Sequence, residues 1–152
     1  MSGWSARLAE LSITIPPVVA PVAAYVPAVR TGNLVYTAGQ LPMTDGKLPM
    51  AGKVGSEVSA DEAKALARQC ALNALAAIAS LTGIDSVVRV VKVVGFVASA
   101  PGFGGQPGVI NGASELFGDV FGEAGAHARS AVGVSELPLN APVEVEVIFE
   151  VA

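Results

Sequence analysis

The feature that most constrains the fold is a run of valines at 86–98, SVVRVVKVVGFVA. Valine is stiff at χ1 and common in strands, and a nearly continuous apolar run of this length is typical of an interior strand that is covered on both faces. Arg89 and Lys92 interrupt the run, and a period of two places them on opposite faces of the strand. The run therefore predicts a β-sheet with a buried strand near its centre.

The patterns on either side of this run predict two main helices and four more strands. The first helix starts with a capping box, in which Ser59 is the N-cap and Glu62 follows three residues later, and it stops at Gly83. The other predicted elements are a short N-terminal helix, a hairpin around the turn RTGN, a second helix from near Pro107, and strands at 128–134 and 143–151. The order ββαβαββ predicts one α+β domain over residues 1–152, with a mixed sheet and both helices on one face.

The low content of charge predicts that the chain forms a homo-oligomer. Hydrophobic residues make up 52% of the sequence and charged residues only 14%, whereas a soluble domain usually has about 25% charged residues. So little charge leaves apolar surface that subunits can cover by packing against each other. A monomer with an unusually apolar surface is the alternative.

The charges and the possible metal ligands argue against several classes of function. The formal net charge is −4 and the nine basic residues are scattered, whereas a nucleic-acid site needs clustered cations. His127 is the single histidine and Cys70 the single cysteine, so no metal site is expected. The glycine-rich stretch GFGGQPG lacks the lysine and hydroxyl residue of a phosphate-binding loop. We therefore expect neither a nucleic-acid partner nor a bound cofactor.

The sequence also favours a cytoplasmic protein. The first 17 residues lack the charged and apolar regions of a signal peptide, and Arg7 and Glu10 interrupt them. The most apolar long segment, 62–81, carries Lys64 and Arg68, which are costly in lipid, so no membrane association is expected. A lone cysteine suits a reducing compartment, and we expect it to be a buried, inert thiol.

The C-terminal stretch HARSAVGVSELPLNAPVEVEVIFEVA contains the residues best suited to chemistry. The guanidinium of Arg129 offers a rigid fork for a carboxylate, and a glutamate such as Glu144 can transfer a proton. The pattern equally fits a half-solvated strand whose acids only face water. A hairpin through SELPLNAP does not set Arg129 opposite Glu144, so a shared ligand would require a bend or a neighbouring subunit. His127 is expected to be an exposed loop residue or a rim residue beside Arg129.

This stretch resembles the C-terminal signature of the RidA/YjgF family of reactive-intermediate deaminases, in which an arginine, an LP turn and a VEVE-like strand follow in order. APVAAYVPAVRTGNLVYTAGQLP resembles the N-terminal hairpin of the family, and VINGASELFGDVFGE resembles its second helix. Together these segments cover most of residues 19–151. Ala38 stands where the family usually has serine and Ala131 where cysteine is common, and SAPGFGGQPG is an insertion-bearing loop.

The resemblance implies a chorismate-mutase-like subunit of the Bacillus type, a homotrimer, and sites in the clefts between subunits. Such enzymes hydrolyse reactive enamines and imines to 2-keto acids and ammonia without a cofactor. By resemblance, Arg129 would hold the substrate carboxylate and Glu144 would position or activate the attacking water. The remaining pocket residues implied are Tyr25, Gly39, Asn111 and the backbone of Ala131. The alternatives are a non-catalytic trimer that binds small keto acids and the endoribonuclease activity with which this family is often labelled.

Overall fold

The computed structural model describes residues 3–21 and 23–152, and its elements follow the predicted order. The short helix α1 comes first, two main helices separate the strands, and three 3₁₀ turns complete the regular structure. The elements are α1 Trp4–Glu10, β1 Ala28–Thr31, β2 Leu34–Thr37, α2 Ala60–Thr82, β3 Val87–Ala98, α3 Gln106–Phe121, β4 Ala128–Val134 and β5 Val143–Val151, with 3₁₀ turns at Ile84–Ser86, Gly122–Gly125 and Pro138–Asn140. The predicted ββαβαββ order is confirmed.

The five strands form one mixed sheet in the order β1-β2-β5-β3-β4. Only β3 and β4 are parallel, and the other neighbouring strands are antiparallel. Helix α2 packs against β5, and α3 packs against β3 and β4, so both helices cover the same face. This face carries the buried valines of β3 and β5 together with Phe149. The predicted α+β class, with a mixed sheet and two helices on one face, is confirmed.

The last two strands do not form a hairpin, contrary to the pairing that the sequence suggested. Within the described residues, β4 pairs with β3 alone, and β3 lies between β4 and β5. The 3₁₀ turn Pro138–Asn140 and its neighbouring residues therefore carry the chain past β3. A parallel partner needs a long crossover, and α3 between β3 and β4 supplies it. In a hairpin, Arg129 and Glu144 would lie on neighbouring strands, but here β3 lies between their strands.

Two register shifts in β3 overturn the prediction that Arg89 and Lys92 lie on opposite faces. The pairing with β5 shifts between Val87 and Arg89 and again between Val90 and Lys92. Arg89 is opposite Glu150 and Lys92 is opposite Ile148. Glu150 and Ile148 are two residues apart on one strand and share a face, so Arg89 and Lys92 also share that face. A period of two cannot anticipate a bulge, because the extra residue resets the alternation.

The valine run is covered on one face of the sheet and not on both. Val90, Val93 and Val97 are buried beneath the helices, whereas Val88 is 46% exposed. We call the face away from the helices the open face. Its apolar side chains are half-buried or exposed, and they come from every strand: Val29, Tyr36, Val94, Phe96, Val132 and Ile148. Within one chain, the helices therefore cover one face of the valine-rich strand and leave the other face open.

Helix α2 begins with the predicted capping box. The Ser59 hydroxyl accepts from the Glu62 backbone N–H at 3.1 Å, and the Glu62 carboxylate accepts from the Ser59 N–H at 2.9 Å. Gly83, with φ of 82°, ends the helix. Twelve of its residues are buried, so α2, although long and apolar enough to cross a membrane, has the burial of a core helix.

Helix α3 approaches α2 closely at one glycine. A side chain at Gly112 would overlap the backbone carbonyl of Lys64, so only glycine permits this spacing. This close approach packs α3 against α2. The other side of α3 faces β4. That side carries the polar residues that contact Arg129.

Candidate functional site

Arg129 points from β4 toward helix α3, where neutral oxygen atoms hold its guanidinium. It pairs with the buried Val93 of β3, so its side chain lies on the helix-covered side of the sheet. Its Nη1 donates to Asn111 Oδ1 at 2.7 Å and to Ser114 Oγ at 3.1 Å, and Nη2 donates to the Pro107 carbonyl at 3.3 Å. These contacts bring Arg129 and Asn111 together. The strand and the helix fix the guanidinium from two sides.

Ser114 and His127 extend this arrangement. His127 Nδ1 lies 2.6 Å from the Gly125 carbonyl, which can only accept, so Nδ1 carries the proton. In the neutral ring Nε2 is then an acceptor, and Ser114, 2.9 Å away, donates its hydroxyl proton to it. This leaves the Ser114 oxygen to accept from Arg129. His127 is half-buried rather than an exposed loop residue, and it is linked to Arg129 through Ser114.

Ser114 is a site residue that the sequence analysis missed. It lies three residues after Asn111 in α3, a spacing that puts both side chains on the same face of a helix. The spacing was visible in the sequence. Which side of α3 meets β4 was not, since that depends on the packing of the helix.

The charge of Arg129 is not neutralised within the described part of the chain. Its three hydrogen bonds go to an amide oxygen, a hydroxyl and a backbone carbonyl. None of the ion pairs between described residues includes it. Arginine has five N–H donors, so three contacts leave at least two for a ligand. A fixed, half-buried cation with free donors is suited to bind an anion such as a carboxylate.

Glu144 lies on the open face of β5, opposite Phe96 of β3. Partial burial raises the pKa of its carboxyl above the ordinary value for glutamate, and the nearby Glu146 raises that pKa further. No hydrogen bond to Glu144 is found among residues 3–21 and 23–152. A half-buried carboxyl with a raised pKa and no fixed partner is suited to accept and return a proton.

A bulge just after β2 brings Gly39 against Glu144. Tyr36 pairs with Ile148, but Gln40, beyond the end of β2, pairs with Val145, so this stretch of the chain has one residue more than the facing stretch of β5. A side chain at Gly39 would lie 2.5 Å from Glu144 Oε1. Glycine at this position leaves the space that the Glu144 carboxyl occupies.

Two cavities meet at Glu144, and four residues line both of them. The first, the inner pocket, is a cavity of about 360 Å³ beneath the N-terminal segment. The second, the outer groove, runs over the open face beside Val29 and Tyr36. The shared residues are Tyr25, Gly39, Pro138 and Glu144. Three of the predicted site residues, Tyr25, Gly39 and Glu144, are thus brought together in one chain.

Arg129 and Glu144 are not brought together in one chain. Arg129 lies under α3, and Glu144 lies on the opposite face of the sheet with β3 between their strands. Ala131 shares the face of Arg129, because it is two residues further along β4 and opposite Gly95. The predicted site residues therefore fall into two groups. Arg129, Asn111 and Ala131 form one group, and Tyr25, Gly39 and Glu144 form the other.

No cluster of three or more potential metal ligands occurs in the described ranges. Cys70 is fully buried in α2, and burial raises the pKa of its thiol, with Glu144 adding to the effect. Cys70 is therefore a core residue, as predicted, and a poor nucleophile.

The family model described as "Endoribonuclease L-PSP" matches residues 17–151, which include both groups of site residues. The chain belongs to the endoribonuclease L-PSP family. The match confirms the resemblance at the level of this family, and membership of its RidA branch stays a prediction.

Several known proteins are similar to this chain along most of its length. Protein TCP17 of Trypanosoma cruzi is 44% identical over 148 residues, which is 96% of this chain and 92% of that protein. Atu1372 of Agrobacterium tumefaciens, a crystal structure of unknown function, is 46% identical with a TM-score of 0.89, and the match covers 98% of this chain and 93% of that one. YjgF of E. coli is 30% identical with a TM-score of 0.62, over 88% and 92%. The fold and the family are therefore shown together.

Proposed function

We propose that this protein is a cofactor-independent hydrolase of reactive enamines and imines derived from amino acids, releasing a 2-keto acid and ammonia. The observation that carries the proposal is Arg129, a fixed guanidinium held only by neutral oxygens within the described chain. An imino acid has one permanent charge, its carboxylate, and a charge-assisted hydrogen bond to arginine both binds and orients it. Similarity to L-PSP proteins supports this assignment.

Glu144 supplies the proton transfers in this proposal. Its carboxylate takes a proton from water as the water oxygen bonds to the protonated imine carbon. The resulting carboxylic acid returns that proton to the amino group. The C–N bond then breaks as the hydroxyl oxygen forms the carbonyl, and the Glu144 carboxylate passes the hydroxyl proton to the departing ammonia, which leaves as ammonium. The overall reaction consumes one water and needs no oxidant, reductant or cofactor. The raised pKa of Glu144 suits this double role, because the group must gain and lose a proton in one turnover.

The site is proposed to form between subunits of a homotrimer. Arg129 and Glu144 lie on opposite faces of the sheet, so one small ligand cannot contact both within a chain. The open face carries exposed apolar residues, among them Val29, Tyr36 and Val132. A neighbouring subunit packed on this face would cover them. We propose that it also brings its Arg129 to the outer groove beside Glu144.

Loss of Arg129 tests the function directly. Keto acid release from freshly generated 2-iminobutyrate is followed above the spontaneous rate for wild type, Arg129→Ala and Arg68→Ala. Arg129→Ala should abolish the acceleration while circular dichroism and oligomer mass stay unchanged, because both binding and orientation are lost. Arg68 is exposed on α2 and outside both groups of site residues, so Arg68→Ala should retain full activity and controls for the loss of one charge.

A non-catalytic keto acid binder is the alternative function. It predicts that wild type binds 2-keto acids, measured by titration calorimetry, but accelerates the hydrolysis of no imine in a series. That pair of results would replace the hydrolase with a binding protein. Loss of binding in Arg129→Ala would then still assign the carboxylate site to Arg129.

A further inference from the structure

We propose that the substrate is an imino acid with a bulky apolar side chain, which occupies the inner pocket beside Glu144. This inference rests on the proposed function, since it assigns the substrate class of the same site. The pocket has mostly apolar walls and a volume of about 360 Å³.

The inner pocket is built from three apolar parts of the chain. The N-terminal segment Val19–Pro21 forms one side, Leu41 and Met43 form another, and Pro138 lies near the mouth. Gln40 is the other polar side chain besides Glu144 and Tyr25, and its amide already donates to the Ala38 carbonyl at 3.2 Å. Among the described residues of the lining, Glu144 is the single charged one. A pocket of this composition favours hydrocarbon and disfavours a second charge.

The two cavities assign a direction to the bound substrate. Tyr25, Gly39 and Glu144 border both the inner pocket and the outer groove. In the proposed trimer the arginine that binds the carboxylate comes from the neighbouring subunit, across the groove. The imine carbon then lies beside Glu144, and the side chain attached to that carbon points away from the carboxylate. The space in that direction is the inner pocket.

The size of the pocket favours large side chains. Its volume is about 360 Å³, many times the space that one water molecule needs. A three-carbon imino acid would leave most of the pocket unfilled, with apolar walls that lack contacts. Each further methylene that enters is removed from water and gains contacts with these walls.

The test uses keto acids as binding probes and their imines as substrates. Pyruvate and 4-methyl-2-oxopentanoate are compared by titration calorimetry, and the imines of alanine and leucine, generated by an amino acid oxidase, are compared by kcat/KM. For wild type we expect the larger compound to be favoured by at least about tenfold in both measurements. Equal values, or a preference for the smaller compound, would overturn the proposal.

Substitutions at one residue of the pocket wall test whether the preference for the larger compound arises in the inner pocket. Val19→Phe fills the pocket and should reduce the ratio to about one, whereas Val19→Ala enlarges the pocket and should shift the preference toward phenylpyruvate. Val18→Phe is the matched control, because Val18 is the adjacent residue and does not line the inner pocket, although the neighbouring cavity that it lines shares Val19 and Met43 with that pocket. The same loss of preference in Val18→Phe and Val19→Phe would overturn the assignment.

The calorimetric measurement separates this inference from the proposed function. If no imine is hydrolysed but the larger keto acid still binds more tightly in a Val19-dependent way, the hydrolase fails and the pocket assignment stands. If imines are hydrolysed at rates that do not depend on the side chain of the substrate, the hydrolase stands and the pocket assignment fails.

Discussion

At the scale of single residues, the two acids of VEVEV differ in surroundings although they share one face of β5. Glu144 borders both cavities and contacts the space left by Gly39, whereas Glu146 lines neither cavity. The pKa of the Glu144 carboxyl is raised, and Glu146 contributes to that rise. Position relative to the cavities, more than position in the strand, therefore distinguishes the acid suited to proton transfer.

Replacing each acid in turn tests this distinction. Glu144→Gln keeps the shape of the side chain but cannot transfer a proton, so imine turnover should fall by roughly 10²–10⁴-fold while keto acid binding persists. Glu146→Gln removes one charge from the same face of the same strand and should change turnover little. Steady-state rates for the two variants decide the question, and small, equal effects would leave Glu144 without a role in catalysis.

The pKa of Glu144 also predicts how stability depends on pH. A folded-state pKa above the unfolded value means that the ionised carboxyl destabilises the folded state, and this cost disappears as pH falls below the unfolded pKa. Glu144→Gln should therefore be more stable than wild type at pH 7, and the difference should vanish at about pH 4. Urea unfolding at both pH values measures it. A variant less stable than wild type at pH 7 would contradict the assigned cause.

At the scale of elements, the site depends on how α3 is held between α2 and β4. Gly112 sets the distance between the two helices, and Asn111 and Ser114 on α3 contact Arg129. The bulge just after β2 has a similar role for the second group, since it sets Gly39 beside Glu144. Each group of site residues is therefore positioned by an irregular contact between otherwise regular elements.

The capping box of α2 gives a prediction at this scale. Ser59→Ala removes the hydroxyl that accepts from the Glu62 N–H and should lower the free energy of unfolding by about 1 kcal/mol. Ser80→Ala is the control, because it makes the same chemical change inside the same helix and removes only a hydrogen bond to the Ala77 carbonyl. Urea unfolding at a fixed protein concentration compares them. An equal loss from both would show that the cap is not the cause.

At the scale of the whole molecule, the open face of the sheet carries the main surplus of apolar surface. Its exposed residues include Val29, Tyr36 and Val132, and the outer groove lies on it. The helices cannot cover it, because both lie on the other face. Charged residues make up only 14% of the sequence, which is too few to keep such an apolar surface soluble when it is exposed to water.

We predict a trimer in dilute solution. Light scattering should give a mass three times the 15.2 kDa of one chain. Val132→Glu places a charge on the open face and should yield smaller species without imine hydrolysis, whereas Leu81→Glu, at a similarly exposed apolar position on α2, should remain a trimer. A monomeric or dimeric mass for wild type would remove the proposed site between subunits.

The charge of the molecule also predicts that RNA does not bind at physiological salt. The net charge is −4 and the basic residues are scattered, so they form no basic patch that could bind the phosphate backbone, although the description of the family names a ribonuclease activity. Binding of single-stranded RNA is measured by fluorescence anisotropy over a range of salt concentrations, on protein freed of contaminating nuclease. A tight, salt-sensitive complex would contradict this prediction.

The sequence by itself determined the elements, their order and the fold class. Valine content, the Ser59–Glu62 capping box and the alternation in β5 are local signals, and each element formed where its own residues favour it. The spacing of Arg129 and Glu144 also identified the family, because it is a pattern along the chain.

Only the tertiary structure decided which strands are neighbours and which site residues meet. The register shifts in β3, the position of β3 between β4 and β5, and the face of α3 that carries Ser114 depend on packing between distant segments. The same holds for the inner pocket, whose walls come from residues 19–21, 41–43 and 138. Local patterns fix which residues are apolar and how they alternate, but long-range contacts fix which of them enclose a cavity.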